Sequence, residues 1–394
     1  MESKYKLEKL GNYIEQIRGV SYKPTDVSDE KKEGYKVVLR ANSIKDNKLI
    51  LDDLVYVKDG LIKEKQLIKC NDILMAASSG SKDIVGKSVQ IHEDTEYAFG
   101  AFCKLIRCSK DINPKYVAYF FRTPYYRSTI SSIVCGANIN NLKNEHIDNL
   151  LIPIIDKKNQ EKIVEVLDKV EELINKRKEQ IEALDELVKS KFIEMFGDPI
   201  SNPKGWNIKT VEECCTLKSG TSLSKEIENE GGNIPYIKVG DMNCKGNEKY
   251  INTSTHFVSE GTAGNGIFEI GTVIFPKRGG AIGTNKKRLT KSLICADLNV
   301  MGVKGNNNIH PEYLYMYFIN IDMNTLNNGS SVPQINNKDI APLQIQVPPI
   351  DLQNKFADFV KKVDEMKLKM ENSLKELEDN FNSLMQKAFK GELF

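Results

Sequence analysis

The sequence has few of the residues that most often perform catalysis or bind metals. It contains four histidines, which lie far apart, and eight cysteines that form no Cys-x-x-Cys pair. Scattered thiols are typical of a reducing compartment, and a zinc site is the less favoured alternative. A His-Glu-x-x-His motif is missing as well, and histidines so far apart do not suggest a Ser-His-Asp or Cys-His set. These absences argue against the common metalloproteases and nucleophilic hydrolases.

Long apolar runs and a strong charge of one sign are also missing. No stretch approaches the roughly 18 apolar residues of a membrane span, and the N-terminal segment MESKYKLEKL is charged from its second residue. We therefore expect a cytoplasmic protein without a membrane partner. Lys and Arg total 56 against 54 Asp and Glu, which gives a net charge of +2. Any DNA-facing basic surface must therefore be local.

Signatures of nucleotide cofactors are absent, and we expect no cofactor. The only Pro-Pro pair, at 348–349, is followed by isoleucine, so the Asn/Asp-Pro-Pro-aromatic segment of DNA amino-methyltransferases is missing. A segment beginning at Gly80 resembles a phosphate loop, but five residues separate it from Gly86 where the motif has four. The residues that follow alternate like a strand, whereas a phosphate loop opens a helix. We interpret the segment as a glycine-hinged loop that presents Lys87.

The sequence contains an internal repeat. Segments of the first half recur in the same order in the second half: 17–21 with 217–222, 38–42 with 236–240, 72–80 with 272–280, 113–121 with 310–318, and 136–147 with 329–340. Each half begins with short β-type segments broken by Gly, Asn and Pro, and includes one short helix, at 116–122 or 313–320. The repeat therefore predicts two domains of the same fold.

Each half ends in a long helical pattern, from about Lys158 to Phe196 and from about Leu352 to Phe389. Alternating steps of four and three join apolar residues at these positions: Ile163, Leu167, Val170, Ile174, Ile181, Leu184, Val188 and Met195, then Phe356, Val360, Val363, Met370, Leu374, Leu377, Phe381, Leu384 and Ala388. Arg177 and Lys191 interrupt the first series, and Lys367 interrupts the second. A period of 3.5 residues favours a coiled-coil seam between two helices. Packing of each helix on its own domain is the alternative.

Polar loops recur at equivalent places in the two halves and are candidates for DNA contact. Base edges are recognised by Arg, Lys, Asn, Gln, Ser or Thr on loops, and phosphates by Lys, Arg or Ser. The candidate DNA-binding residues are Arg40, Ser78, Ser79, Lys82, Lys87, Asn138, Asn140 and Lys143 in the first half, and Lys238, Lys277, Arg278, Asn285, Lys286, Lys287, Arg288, Ser330, Gln334 and Asn336 in the second. Ordinary solvated turns are the alternative interpretation, because Gly, Asn and Ser dominate turns.

Several segments occur in an order that is typical of one family. They are Asn71–Leu74 with its repeat Gly271–Ile274, the loop Gly329–Asn336, the linker Met195–Trp206 and the segment Ala388–Leu393. With the duplication and the heptad helices, the chain resembles the specificity subunits of type I restriction–modification enzymes along essentially its whole length.

This resemblance implies an α+β fold with two tandem mixed α/β target-recognition domains. Two long helices would separate them and pair as an antiparallel coiled coil in a pseudo-twofold body. The expected segments are a first recognition domain at 1–155, a helix at 156–196, a linker at 197–206, a second recognition domain at 207–349, and a helix with the C-terminal tail at 350–394.

The resemblance also implies a non-catalytic DNA-binding subunit. Its partners would be double-stranded DNA, two methyltransferase subunits, and restriction and translocation subunits. Three alternatives remain: the specificity subunit of a type II enzyme with a bipartite site, a phosphate-loop ATPase, and a coiled-coil adaptor without DNA selectivity.

A rigid helix pair predicts a fixed distance between two half-sites in DNA. Each pattern of about 40 residues would be roughly 60 Å long. One heptad inserted after Leu184 and one after Leu377 should add about 10 Å, which corresponds to about 3 base pairs of B-DNA.

Overall fold

The computed structural model describes residues 3–135, 141–228, 231–326 and 333–393. The chain divides into two compact units. The first unit is the chain up to Lys178 together with the chain from Asn372 onward, and the second unit is Glu179–Glu371. Each unit therefore contains one globular domain and a part of each long helix.

The first unit is built on two four-stranded sheets. One is antiparallel and has the order Ile14–Arg18, Cys103–Cys108, Ile73–Ala76, Ser88–Gln90. The other has the order Ala98–Phe99, Tyr35–Leu39, Val55–Lys58, Val27–Ser28, and its first pair is parallel. Two further antiparallel pairs are Lys6–Lys9 with Leu151–Ile154 and Ile44–Lys45 with Lys48–Leu49.

The central strand Ile73–Ala76 is buried on both faces. Successive side chains of a strand point to opposite sides, and here Ile73 and Met75 enter one hydrophobic cluster while Leu74 and Ala76 enter another. Burial on both faces explains why this strand has a continuous apolar sequence, and it fixes the point at which the next loop begins.

The second unit repeats this plan. Its larger sheet has the order Cys215–Ser219, Val300–Gly305, Thr272–Pro276, Arg288–Thr290, Tyr250–Ile251. Its other sheet has the order His256–Val258, Ile234–Ile237, Ile294–Ala296, Ile267–Phe268, and Ile208–Thr210 pairs with Gln344–Gln346. The first four strands of the larger sheet follow the same order as their counterparts, so the predicted duplication of a mixed α/β fold is confirmed.

Short helices cover these sheets. The α-helices are Pro114–Phe120, Pro124–Cys135 and Asn144–Asp148 in the first unit, and Val211–Cys214, Lys225–Glu228, Glu260–Ala263, Pro311–Ile319 and Asn337–Ile340 in the second. The 3₁₀ helices are Leu10–Asn12, Pro24–Asp26, Ala41–Ser43, Asp59–Leu61, Glu64–Gln66, Val239–Asn243, Gly264–Gly266, Gly279–Thr284 and Met323–Leu326.

The two predicted short helices begin two residues earlier than expected. Both start at a proline, which is favoured at the first helical position. The preceding residue caps the helix in each case: the Asn113 side chain accepts from the Lys115 N–H, and the His310 ring accepts from the Glu312 N–H. The helix Pro124–Cys135 was not predicted, because β-branched residues lower its intrinsic helix propensity.

The long helices are Lys157–Phe196 and Ile350–Lys390, within two residues of the predicted ends. In the second unit Asp185 lies 2.7 Å from Lys367, and the rings of Phe192 and Phe356 lie 5.6 Å apart. Later residues of the first helix contact earlier residues of the second helix, so the two helices are antiparallel. In the first unit Lys178 pairs with Glu378 at 2.8 Å.

At the end of the first long helix, the buried residues lie one position after the predicted seam residues. The heptad pattern places Lys191 and Met195 on the seam, but Phe192 and Phe196 are the fully buried residues. Their rings pack on Tyr313 of the globular domain, with centroids 5.5 and 4.8 Å away. The end of the first helix therefore packs both on the second long helix, through Phe356, and on the globular domain of the second unit, through Tyr313. This is not the domain of the helix's own half of the sequence, on which the alternative interpretation placed it.

These ion pairs change the position at which the second heptad should be inserted. An insertion after Leu184 lies opposite Lys367 on the second helix, because Asp185 pairs with Lys367. The position first predicted, Leu377, lies instead beside Glu378, which pairs with Lys178. Heptads inserted after Leu184 and after Lys367 keep both ion pairs in register. A restriction–modification complex of the kind that the resemblance implies, assembled with this double variant, should methylate DNA at the same half-sites with about 3 more unread base pairs between them.

The measurement is methylation-site sequencing, and the control is the single insertion after Leu184, which should disrupt the pairing. A folded, active double variant that keeps the original spacer would show that the helices do not set the distance.

Candidate DNA interface

Two predicted loops of the first unit come together. The strand Ile73–Ala76 leads into the loop that begins at Ser78, and Ser78 forms an isolated antiparallel bridge with Asn141. Next to this bridge, the Leu142 N–H donates to the Ala77 carbonyl at 2.8 Å. The segment after residue 140 is thus fixed beside the loop 78–82, although the two are far apart in sequence.

The second unit makes the same connection with equivalent residues. Arg278 forms an isolated antiparallel bridge with Gln334. The Ile335 N–H donates to the Lys277 carbonyl at 2.9 Å, and the Gly279 N–H donates to the Pro333 carbonyl at 2.8 Å. Each unit therefore presents two polar loops from one backbone junction.

A third segment joins this junction in both units. The Phe102 carbonyl accepts from the Ala77 N–H at 2.8 Å, and the Asn299 carbonyl accepts from the Lys277 N–H at 2.8 Å. Phe102 was not predicted as part of the site, because an isolated aromatic residue between two strands has no polar signature.

The first-unit candidates differ in their access to solvent. Ser78 and Ser79 are half-buried, whereas Lys82 and Lys143 are exposed. Lys143 follows Leu142 directly and so lies at the same junction; its Nζ is 3.4 Å from Glu145. The hydroxyl and ammonium groups of these four residues can donate to phosphates and base edges.

Lys87 lies on the other side of the same loop. Its carbonyl accepts from the Ala76 N–H at 2.9 Å, and the strand Ser88–Gln90 follows it. A phosphate loop would continue into a helix whose N–H groups bind the phosphates. The structure therefore contradicts the phosphate-loop alternative at this segment.

Arg40 and Lys238 are equivalent residues and both form ion pairs. The Arg40 guanidinium lies 2.5 Å from Asp53, and the Lys238 ammonium lies 2.6 Å from Glu228. Arg40 follows the strand Tyr35–Leu39, and Lys238 follows the strand Ile234–Ile237. Because their charges are already compensated, their use in DNA contact would require exchange of a carboxylate for a phosphate.

Lys277 is used by the fold. Its side chain is 7% exposed, and its ammonium donates to the Ser219 hydroxyl at 2.8 Å. Burial lowers the pKa of Lys277, and the nearby Arg278 adds to this effect. Arg278 is half-buried at the surface of the junction. Of the two adjacent cations, Arg278 is the better placed to reach a base.

The basic run Asn285–Arg288 is largely internal. The Asn285 side chain accepts from the Lys287 ammonium at 2.6 Å and from the Met323 N–H at 2.9 Å. Lys287 is 1% exposed, and burial lowers its pKa to about 8. Its remaining bond goes to the Ile321 carbonyl. We leave Asn285 and Lys287 out of the candidate interface because their polar groups hold the fold together.

The other two residues of this run are also engaged. The Arg288 guanidinium donates to the carbonyls of Lys287 and Met242 at 2.7 and 2.8 Å, and burial lowers its pKa. Lys286 is half-buried and donates to the Asn243 side chain. Unlike Lys287 and Arg288, Lys286 has no hydrogen bond to a backbone carbonyl among the described residues, and it keeps partial access to solvent.

Gln334 and Asn336 bond each other across the second loop. The Gln334 amide donates to the Asn336 side-chain oxygen at 2.6 Å. The Asn336 N–H donates to Asp339 at 2.8 Å, at the start of the helix Asn337–Ile340. This arrangement orients the Gln334 amide at the junction, and an oriented amide can bond adenine bidentately. Asn138, Asn140 and Ser330 lie outside the described residues.

Polar contacts attach each domain to the long helices of its own unit. In the first unit the Arg122 guanidinium lies 2.8 Å from Glu171, and the Tyr119 hydroxyl donates to Asp168 at 2.5 Å. Burial alone would raise the pKa of Glu171, but Arg122 and Tyr119 hold it below its ordinary value. The carboxylate therefore stays charged.

In the second unit the Tyr250 hydroxyl oxygen lies 2.5 Å from Asp364 and 2.6 Å from Glu312, and Lys249 lies 2.9 Å from Asp364. These attachments use different residues from those of the first unit, so the repeat did not reveal them. They hold each candidate DNA surface in a fixed place relative to the helices of its unit.

The described part of the chain offers no group of three His, Cys, Asp or Glu residues placed to hold a metal ion. In the same part, no helix is both long enough and apolar enough to span a membrane.

The sequence matches a protein-family model over residues 5–183 and 203–379, and the family is described as type I restriction modification DNA specificity domain. The type I restriction enzyme EcoKI specificity subunit of Escherichia coli (strain K12) is 28% identical over 406 residues, which cover 96% of this chain and 86% of the relative. The type I restriction enzyme StySPI specificity subunit of Salmonella potsdam is 40% identical over 173 residues, covering 44% of this chain and 37% of the relative.

Solved structures share the fold. The S subunit of a type I restriction–modification system from M. genitalium superposes with a TM-score of 0.54 at 16% identity, covering 98% of this chain and 96% of that one. A chain from work described as "Structural basis underlying complex assembly and conformational transition of the type I R-M system" gives a TM-score of 0.60 at 17% identity, covering 99% and 100%. The predicted fold class, two tandem mixed α/β domains with two long helices, is thereby confirmed.

Proposed function

This chain belongs to the family of type I restriction–modification DNA specificity proteins, and on that premise we propose that it selects the DNA sequence for a type I restriction–modification complex. Each unit would recognise one half of a bipartite target. The observation that supports this most directly is the junction at Ala77 and Lys277, where equivalent backbone bonds hold two polar loops together in each unit.

The proposed interface combines the candidates that the structure leaves accessible with those outside its described residues. These are Ser78, Ser79, Lys82, Lys87, Lys143, Asn138 and Asn140 for one half-site, and Arg278, Lys286, Gln334, Asn336 and Ser330 for the other. The serine and lysine side chains suit phosphates, while Arg and Gln suit guanine and adenine. Because the net charge is only +2, binding would depend on these local groups and on partner subunits.

The chain is a recognition subunit, and the chemistry belongs to its partners. We propose two methyltransferase subunits and restriction and translocation subunits as those partners, in the cytoplasm where the DNA is. A type II specificity subunit would share this architecture, but the relatives named above are type I specificity subunits.

The test is a genome-wide map of methylated adenines in the host, with and without this gene. We expect one bipartite motif to lose methylation on deletion and to regain it when the gene is restored. A matched control restores the gene with the exposed helix residue Lys189 changed to Ala, which should regain the same motif. An unchanged methylation map in the deletion strain would contradict the proposal.

A further inference from the structure

Phe102 presents an aromatic ring to solvent beside the candidate DNA loop. Its side chain is 69% exposed, although Phe99, three residues earlier, and Cys103, the next residue, are 0% and 1% exposed. A single exposed apolar residue is common on protein surfaces. The position of this one and the hydrogen bonds of its backbone distinguish it.

The backbone of Phe102 is fixed to the recognition loop. Its carbonyl accepts two hydrogen bonds, from the Ala77 N–H at 2.8 Å and from the Ser78 N–H at 3.0 Å. Ser78 is also the residue that bridges to Asn141. The backbone that carries the ring is therefore fixed at the point where both polar loops of the first unit meet.

The equivalent position in the second unit is polar and turned inward. There the Asn299 carbonyl accepts from the Lys277 N–H at 2.8 Å, but the Asn299 side chain donates to Asp297 at 2.6 Å. The fold therefore does not require an aromatic residue at this junction. Of the two junctions, only the one in the first unit carries an aromatic ring at this position.

We propose that Phe102 contacts the C5 methyl group of a thymine in the half-site recognised by the first unit. This inference rests on the proposed function. The edges of the bases in the major groove carry hydrogen-bond donors and acceptors, and the thymine methyl is their one apolar feature. The neighbouring Ser and Lys residues can bind the polar groups, so an apolar ring on a fixed backbone beside them has the methyl group as its matching target.

The test replaces thymidine in the DNA with deoxyuridine, which lacks only the C5 methyl group. The assembled complex with its methyltransferase is titrated with duplexes that carry deoxyuridine at each thymine of the first half-site in turn. Loss of one buried methyl should weaken binding about fourfold at one position. Phe102→Ala should bind the thymine duplex about fourfold more weakly and should no longer distinguish the two bases.

Leu61, another exposed apolar residue of the first unit at 42%, gives the matched control: Leu61→Ala should keep the preference for thymine. Deoxyuridine in the second half-site should have no Phe102-dependent effect.

The inference is overturned if the unmodified complex ignores deoxyuridine at every position of the first half-site, or if Phe102→Ala keeps the discrimination. It is also overturned if Phe102→Ala prevents assembly with the methyltransferase in the absence of DNA, since the ring would then face a protein. Failure of the proposed function looks different, because the complex would then show no sequence preference in either half-site.

Discussion

Replacing Arg278 and Gln334 with alanine should degrade recognition of one half-site and leave the other intact. The two residues face each other across the junction of the second unit, and each can form a bidentate contact with a base. Loss of each contact should cost about 1–3 kcal/mol, or about 5- to 150-fold in affinity for the correct base. Lys277 is not part of this variant, because its buried ammonium bonds Ser219 and its loss would disturb the fold.

The measurement is binding of the assembled complex to duplexes with single base changes in each half-site. Lys189→Ala, which removes an exposed charge from the long helix, is the control for loss of charge. The double variant should become indifferent to base changes in its own half-site only. Equal weakening on every duplex would identify Arg278 and Gln334 as phosphate contacts and would reject their role in base selection.

Phe196→Ala should lower the free energy of unfolding of the second unit by about 3–5 kcal/mol, the usual range for truncation of a buried aromatic residue. Phe196 is fully buried, and its ring lies 4.8 Å from Tyr313 and 5.5 Å from Phe356. It thus links the end of one long helix to the domain and to the other helix of the same unit. Ile193, one turn away and 42% exposed, is the control, and Ile193→Ala should change stability by less than about 0.5 kcal/mol.

The single tryptophan makes this effect measurable in one unit. Trp206 belongs to the second unit, and its indole N–H donates to the Phe196 carbonyl at 2.8 Å. Tryptophan fluorescence during denaturant unfolding therefore reports on the second unit, whereas circular dichroism reports on both. Phe196→Ala should shift the fluorescence midpoint to lower denaturant. An unchanged fluorescence midpoint would mean that the aromatic cluster does not stabilise this unit.

The sequence predicted the elements that depend on pattern. The duplication and the long helices follow from the order of segments and from heptad spacing, and the structure places the helix ends within two residues of the expected ones. The shift from Lys191 and Met195 to Phe192 and Phe196 could not be predicted, because it depends on which surface the helix end meets. That surface is formed by Tyr313, more than a hundred residues later.

The direction of each polar side chain was the least predictable property of the site. Lys286 and Lys287 are adjacent and chemically identical, but one is half-buried and the other is 1% exposed. The difference arises because Asn285 and the Ile321 carbonyl provide an internal site for the Lys287 ammonium. Phe102 was missed for the opposite reason, since hydrophobicity at a turn predicts burial unless the backbone around it is known.

The two units differ in when they can be completed during synthesis. The second unit is one continuous stretch, Glu179–Glu371, whereas the first also needs the chain from Asn372 onward. Phe381, Met385 and Phe389 belong to the first unit's hydrophobic cluster. As the chain leaves the ribosome, the second unit can close its core while the first still lacks these side chains. The domain that is made first is therefore finished last, in contrast to the N-to-C order in which most domains fold, and its unfinished apolar surface must stay soluble in the meantime.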